Sequence, residues 1–263
     1  MIEPTGPLPL IAPSPGSSFT DLLESLGGKP TWNVPAGEKP PSAPEGTTVL
    51  ALRYQGGVVM AGDRRATEGH LVAHRRIRKV FPADRYAAVA IAGIAGLATE
   101  MVKLFQVELE HYEKIEGVRL SLDGQASFLA RLVRGQLPMA FQGLVVVPLF
   151  AGYDLREQRG RLFSFDAVGG RYEEIDFGST GSGARLAKSY LRTVYRDDLT
   201  DADATGYAVK ALVAASQEDT ATGGPDLNRG IYPNVIRIDA GGYVEMTDDE
   251  VAPVAREAVE SIR

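Results

Sequence analysis

Cysteine is absent from this chain of 263 residues. Disulfide bonds and thiolate metal sites are therefore excluded, and nothing in the sequence requires an oxidising compartment. Histidine is scarce as well, with three residues in the whole chain. Of these, His70 and His74 form an i,i+4 pair, but no acidic residue is spaced convincingly as a third ligand, so we expect no metal site. No histidine accompanies a serine motif, which disfavours a Ser-His-Asp hydrolase.

Positive charge and long apolar runs are also limited. The formal net charge is −6, which argues against a general nucleic-acid-binding protein. No apolar run approaches the length of a membrane span, so we expect no membrane association. The opening residues Met1-Ile2-Glu3-Pro4 lack the basic start of a secretory signal. Together these features predict a cytoplasmic protein.

Proline is unevenly distributed along the chain. Ten of the sixteen prolines lie in residues 1–46, which have no sustained hydrophobic period apart from a short amphipathic helix predicted at 17–26. From Thr47 onward the pattern is that of packed strands and helices. The sequence therefore predicts a leader, 1–46, followed by one large domain, 47–263.

The junction Gly46-Thr47-Thr48 has two interpretations. One is a disordered tail that meets its first strand, which is common at domain boundaries. The other is a processing site. A threonine hydroxyl is a poor nucleophile unless a base lies beside it, and the free α-amine of the same residue is one such base. That amine exists only after the bond between Gly46 and Thr47 has been cut.

The predicted elements of the domain come in blocks. Strands are followed by two helices, then by further strands, two more helices, a closing hairpin and a final helix. Since strands and helices do not alternate strictly, we expect an α+β fold with two largely antiparallel sheets flanked by helices, a four-layer αββα sandwich. The predicted strands are 47–54, 58–61, 86–92, 144–153, 161–166, 172–175, 235–239 and 243–246. The predicted helices are 95–114, one within 120–141, 184–195, 201–216 and one that begins at Asp248 or Asp249.

Two polar clusters follow the first strands. The first is Gly62-Asp63-Arg64-Arg65-Ala66-Thr67, in which Asp63 read alone is an ordinary turn or capping residue. The second is the basic run Arg75-Arg76-Ile77-Arg78-Lys79, which read alone is a solvated face. Lys79, however, lies between apolar residues, a setting in which a lysine can point inward. A buried lysine needs a partner, and Asp63 would serve.

A third cluster, 178–183, is rich in glycine and is predicted to be a turn that opens a helix. Such turns bind phosphate, so a nucleotide site has to be considered. The P-loop pattern requires glycines where Ser182 and Ala187 stand, and it is therefore absent. We expect no nucleotide or other cofactor.

Taken together, these motifs resemble the β-subunit of the proteasome core particle in its actinobacterial form. The resemblance covers 47–263 and identifies the domain with the N-terminal nucleophile hydrolases, whose fold is an αββα sandwich. The motifs that carry it are Gly46-Thr47-Thr48, Gly62-Asp63-Arg64-Arg65-Ala66-Thr67, Arg78-Lys79, Ala92-Gly93, Gly181-Ser182-Gly183 and Asp219-Thr220-Ala221-Thr222-Gly223-Gly224-Pro225-Asp226.

The resemblance implies a role for each matching residue. Residues 1–46 would be a propeptide, and cleavage at Gly46-Thr47 would free Thr47 as the nucleophile. Lys79 would be the active-site cation and Asp63 the carboxylate that orients it. The remaining catalytic residues would be Gly93, whose N–H serves the oxyanion hole, and Ser182, Asp219 and Thr222, which lie near the freed amine. The family usually has serine in place of Thr222.

The resemblance also implies a substrate and partners. Thr67 and Gly93 would bind the backbone of an extended peptide. An apolar pocket would favour cleavage after hydrophobic residues. The residues that would line this pocket are Ala66, Ile77, Ile91 and Ala95. The expected partners are α-subunits and further β-subunits in stacked seven-membered rings, an ATPase ring on the α-ring, and unfolded protein substrates.

Two alternatives remain open from the sequence. One is a self-processing amidase that acts on a small molecule. The other is a catalytically silent ring subunit.

Overall fold

The computed structural model describes residues 46–68 and 71–262. The helix predicted at 17–26 lies outside these residues. The strands are β1 (Thr48–Tyr54), β2 (Gly57–Gly62), β3 (Ala66–Glu68), β4 (Leu71–His74), β5 (Val80–Asp84), β6 (Ala87–Gly93), β7 (Val146–Asp154), β8 (Arg159–Phe165), β9 (Arg171–Glu174), β10 (Phe177–Gly181), β11 (Asn234–Asp239) and β12 (Gly242–Glu245). The helices are α1 (Ala95–Glu116), α2 (Leu122–Gly135), α3 (Leu137–Ala140), α4 (Ala184–Val194), α5 (Asp201–Glu218) and α6 (Asp248–Ser261).

Two five-stranded antiparallel sheets form the centre of the domain. The first has the order β10-β1-β2-β11-β12, and the second has the order β5-β6-β7-β8-β9. A separate hairpin, β3-β4, leaves the end of the first sheet. The prediction of two antiparallel sheets is confirmed.

Successive side chains along each strand point to opposite faces of the sheet, and the buried apolar side chains form three clusters. Strand β1 shows this pattern. Leu50 and Leu52 face the helices α4, α5 and α6, with which they share one apolar cluster. Val49 and Ala51 point the other way and pack between the sheets. A third cluster joins the outer face of the second sheet to α1 and α2. Because successive strand residues face opposite sides, one sheet can pack on both faces, and the result is the expected αββα layering.

Two helices begin with signals that the sequence carries. Thr247 caps α6 in a capping box with Glu250, and Thr200 does the same for α5 with Asp203. Each hydroxyl accepts a hydrogen bond from a backbone N–H of the first turn, and the acidic residues suit the positive end of the helix dipole.

The interpretation of residues 178–183 as a turn is wrong for most of the segment. Phe177–Gly181 is strand β10, paired with β1, and α4 begins only at Ala184. A Cβ on Gly178 would lie 3.1 Å from Leu149 of the second sheet, so this glycine lets the two sheets pack closely. The short strands β3, β4 and β5 were not predicted.

Within the described residues, none of the helices is both long and apolar enough to cross a membrane.

Candidate active site

In the first sheet, the N-terminal end of β1 lies beside the C-terminal ends of its two neighbouring strands, β2 and β10. Thr48 pairs with Gly181 of β10, and Val49 pairs with Gly62 of β2. Both neighbours run antiparallel to β1, so the residues that follow them, Asp63 and Ser182, flank Thr47. The backbone N–H of Ser182 donates to the Thr47 carbonyl oxygen at 2.9 Å. The register of one sheet thus unites motifs that are far apart in sequence.

Asp63 is fully buried and accepts four hydrogen bonds. Its Oδ1 atom accepts from the Thr48 N–H at 2.8 Å and from Lys79 Nζ at 2.6 Å. Its Oδ2 atom accepts from the N–H groups of Arg65 and Gly223, each at 2.9 Å. Four donors around one carboxylate satisfy both oxygens and hold the Lys79 side chain in one orientation.

Lys79 has a 2% exposed side chain, and its ammonium group has three acceptors. Besides Asp63, Nζ donates to the carbonyl oxygens of Arg65 at 2.6 Å and Gly46 at 3.0 Å. Three acceptors match the three N–H bonds of an ammonium group. Burial lowers the pKa of Lys79 below its ordinary value, although the negative charge of Asp63 opposes that shift. The expected pairing of Lys79 with Asp63 is present.

The peptide bond between Gly46 and Thr47 lies directly against this cation. The Thr47 hydroxyl donates to the Gly46 carbonyl oxygen at 2.8 Å, the same oxygen that Lys79 contacts. Thr47 is 6% exposed and borders a cleft. Gly46 has φ +101°, and a Cβ there would overlap the Thr67 hydroxyl oxygen. The carbonyl, a hydroxyl and a cation are therefore grouped around one bond.

Ser182, Asp219 and Thr222 form a hydroxyl–carboxylate group on the other side of Thr47. Ser182 Oγ donates to Asp219 Oδ2 at 2.6 Å and lies 3.3 Å from the Thr47 carbonyl oxygen. Thr222 Oγ1 donates to the same carboxylate oxygen. Burial on its own would raise the pKa of Asp219, but the hydrogen bonds from Ser182, Thr222 and the Ala221 N–H, together with the Lys79 charge, lower it. Asp219 is thus held as a carboxylate.

Gly93 ends β6 and borders a cleft of about 350 Å³. The cleft also contains Gly46, Thr47 and Ser182. Gly93 has φ +111°, and a Cβ there would overlap the Val145 carbonyl oxygen, so only glycine fits. Two further residues that line this cleft, Ala92 and Gly181, belong to motifs named above. The remaining lining residues were not singled out from the sequence: Ile94, Gly143, Val145, Val147 and Thr180.

The residues expected to form the apolar pocket lie on four segments: Ala66 on β3, Ile77 between β4 and β5, Ile91 on β6, and Ala95 at the start of α1. Ala66 and Ile91 are buried, and Ile77 and Ala95 are half-buried. Backbone hydrogen bonds tie two of them to the site: the Ile77 N–H donates to the Arg64 carbonyl oxygen, and the Ile91 N–H donates to the Lys79 carbonyl oxygen. Ile77 also borders an open cleft with basic side chains. The basic residues of that cleft are His74, Arg75, Arg76 and Arg229.

Sequence reasoning missed two residues of the site. Arg65 donates from its guanidinium to the carbonyl oxygens of Thr220 and Thr222, which fixes the loop after α5. Thr48 is fully buried and joins its hydroxyl to that of Thr222 at 2.6 Å. The only available signal was their adjacency to Asp63-Arg64 and Thr47, because the contacts span more than 150 residues of sequence.

Across the described ranges, no group of three or more His, Asp or Glu side chains is arranged to hold a metal ion. His70, one of the pair considered above, lies outside those ranges.

Comparison with known proteins gives one family. The family model described as "Proteasome subunit" matches residues 43–226. Three relatives called "Proteasome subunit beta", from Acidothermus cellulolyticus, Acidimicrobium ferrooxidans and Streptomyces griseus, are each 50% identical to this chain. Each alignment covers 97% of this chain, and 90%, 94% and 92% of the respective relative.

Proposed function

The chain belongs to the proteasome subunit family, and from that premise we propose that it is the precursor of a self-processing threonine endopeptidase. It is a β-type subunit of the proteasome core particle and assembles with other subunits of that particle. We assign 1–46 as the propeptide, 47–263 as the mature subunit and Thr47 as its nucleophile. The observation that carries this assignment is the contact of Lys79 Nζ with the Gly46 carbonyl oxygen, 3.0 Å, beside the Thr47 hydroxyl.

Self-processing follows from that contact. Thr47 Oγ attacks the Gly46 carbonyl carbon, and Lys79 stabilises the negative charge that develops on the carbonyl oxygen. The C–N bond between Gly46 and Thr47 breaks, the hydroxyl proton passes through water to the departing nitrogen, and Gly46 is left as an ester on Oγ. Water then hydrolyses the ester. The products are a carboxylate on Gly46 and a free α-amine on Thr47.

Peptide hydrolysis repeats this chemistry on a substrate. The freed α-amine of Thr47 takes the hydroxyl proton through water, and Oγ attacks the scissile carbonyl. Lys79 lowers the energy of the charged transition state, and the Gly93 N–H donates to the oxyanion. Ser182, Asp219 and Thr222 hold the amine in place. No metal or cofactor is needed for either reaction.

The substrate class follows from the pocket and the hairpin. An extended peptide adds to the backbone at Thr67 and Gly93, as a strand adds to a sheet edge. The apolar side chains of Ala66, Ile77, Ile91 and Ala95 favour a hydrophobic residue before the cut. We therefore propose unfolded proteins as substrates, delivered in the cytoplasm by an ATPase ring that sits on an α-ring. Seven subunits in each α-ring and β-ring complete the assembly.

The experiment that tests this function compares wild-type particles with Thr47→Ala and Thr47→Ser particles, co-expressed with an α-subunit. Turnover of fluorogenic peptides with hydrophobic residues is expected for wild type, and for Thr47→Ser at a reduced rate. Thr47→Ala is expected to be inactive. Peptide turnover by Thr47→Ala particles at the wild-type rate would refute Thr47 as the nucleophile. Absence of peptide turnover in the assembled wild type would support a silent subunit, and turnover of small amides alone would support an amidase.

A further inference from the structure

The Thr48 side chain is fully buried, and its hydroxyl has two hydrogen-bond contacts. The residue is 0% exposed. Its Oγ1 accepts from the backbone N–H of Gly183 at 2.9 Å. The same oxygen lies 2.6 Å from the Thr222 hydroxyl oxygen. A buried hydroxyl–hydroxyl contact beside the nucleophile needs an account, because nothing in the mechanism above uses Thr48.

The Asp219 carboxylate fixes the direction of each hydrogen bond in this series. Asp219 is held as a carboxylate, which only accepts, so Thr222 Oγ1 donates its proton to Asp219. Thr222 Oγ1 must then accept from Thr48, since its own proton is already committed. Thr48 Oγ1 in turn accepts from the Gly183 N–H. The result is a one-way relay, from the Gly183 N–H through the hydroxyls of Thr48 and Thr222 to the Asp219 carboxylate.

The backbone beneath the relay is shaped to admit both hydroxyls. A Cβ on Gly183 would lie 2.6 Å from Thr48 Oγ1 and 2.6 Å from Thr222 Oγ1. Both distances are far inside van der Waals contact, so a side chain at 183 would force the two oxygens apart. The absence of a side chain at Gly183 therefore leaves room for the two hydroxyl groups to lie in contact.

We propose that Thr48 is a positioning residue, which acts through Thr222 to fix the Asp219 carboxylate beside the amine that processing frees on Thr47. This inference rests on the function proposed above. Hydrogen bonds in series polarise one another, so a proton donated by Thr48 makes Thr222 a better donor to Asp219. The Thr48 N–H is itself held by Asp63 at 2.8 Å. One residue thus ties the Lys79–Asp63 side of the site to the Ser182–Asp219 side.

The test uses assembled particles that carry Thr48→Val, which keeps the shape of threonine and removes the hydroxyl. We expect kcat for a fluorogenic peptide to fall about tenfold, with KM nearly unchanged, because one buried hydrogen bond to the catalytic group is lost. Thr48→Ser keeps the hydroxyl and should restore kcat. Thr205→Val, in a buried part of α5 away from the site, is the matched control and should leave kcat unchanged.

A double variant distinguishes the relay from an independent effect. Thr48→Val should lower kcat no further in a Thr222→Val background, because the relay is already broken there. If Thr48→Val fails to assemble, Thr48→Ala carries the same expectation, since it places no methyl group against the Gly183 N–H. Wild-type kcat in the hydroxyl-free variant, or losses that simply multiply in the double variant, would overturn the relay.

The outcome for the relay is separable from that for the proposed function. If the chain in wild-type particles begins at Thr47 and the particles cleave peptide, the proposed function is established, whatever the kcat of the Thr48→Val particle. Wild-type particles without peptidase activity would overturn both proposals.

Discussion

Lys79 and Gly46 are joined by a hydrogen bond of 3.0 Å between the ammonium nitrogen and the carbonyl oxygen that precedes Thr47. The same ammonium contacts Asp63 at 2.6 Å, so the cation is fixed in place before it meets the carbonyl. A cation aimed at this oxygen stabilises the charge that forms there when the Thr47 hydroxyl attacks. Under the function proposed above, the Gly46-Thr47 junction is the first substrate of the site.

Replacement of Lys79 by methionine should stop both self-processing and peptide turnover. The side chain keeps its length but loses the charge that stabilises the oxyanion, and we expect a loss of at least about a hundredfold in processing rate. Asp63 would remain buried without its counter-ion, so stability should fall by about 3–5 kcal/mol. Processing is measured by mass spectrometry of the assembled chain, and stability by thermal unfolding.

The control for that variant is Lys210→Met. Lys210 of α5 pairs with Glu257 of α6 at 2.8 Å and does not line the cleft at Thr47. Such pairs contribute about 0–1 kcal/mol, so processing should be normal. Normal processing in the Lys79→Met particle would refute the role of the cation.

Gly46→Ala should slow self-processing without changing the mature enzyme. Gly46 has φ +101°, a conformation that disfavours alanine, and an added Cβ would overlap the Thr67 hydroxyl oxygen. We expect the precursor to accumulate, with a processing rate about tenfold lower, since the strain is on the order of 1–2 kcal/mol. The alanine leaves with the propeptide, so kcat per processed subunit should equal that of wild type.

Gly206→Ala serves as its control, because a Cβ at that position in α5 meets no atom within 4 Å. Processing at the wild-type rate in Gly46→Ala would contradict the need for a left-handed residue at the junction.

Asp219→Asn should change the pH dependence of stability. Hydrogen bonds hold the pKa of Asp219 below its ordinary value, so its contribution to stability is present above about pH 4. That contribution is lost as the pH falls through the folded-state pKa. The variant lacks it throughout and should be less stable by about 1 kcal/mol at pH 6. The gap between the two thermal midpoints should shrink towards pH 3; a constant gap would be inconsistent with an ionised Asp219.

Ala95→Leu should alter the choice of substrate. A leucine at this half-buried position would fill part of the proposed pocket, and KM for peptides with an aromatic residue before the cut should rise about tenfold. Peptides with alanine at that position provide the internal control and should change little. Self-processing should be normal, because Gly46 places no side chain in the pocket. An unchanged ratio of the two peptides would remove Ala95 from the pocket.

The fold was largely predictable because burial on both faces of the sheets leaves a strong pattern. The exceptions have physical causes. β10 contains Gly178 and Gly181, which allow close approach of the second sheet and of Thr47, and the same glycines resemble a turn in sequence. β5 contains Pro82, which lacks an N–H, and this strand lies at the edge of its sheet, where that loss is tolerated.

The site was predictable where a charged residue lies among apolar residues in the sequence. Lys79 among apolar neighbours required a buried partner, and Asp63 is that partner. Thr48 and Arg65 were missed because their partners lie on the loop after α5, and only the folded chain brings the two segments together. A threonine inside a strand carries no sign of what its hydroxyl contacts.

We expect Thr47 to become the N-terminus of the active subunit. The most direct measurement is the intact mass and N-terminal sequence of the chain in assembled, peptidase-active particles. We predict a chain that begins at Thr47 and contains no tryptophan, because Trp32 is the only tryptophan and lies within residues 1–46. Active particles whose chain still carries residues 1–46 would refute Thr47 as the nucleophile.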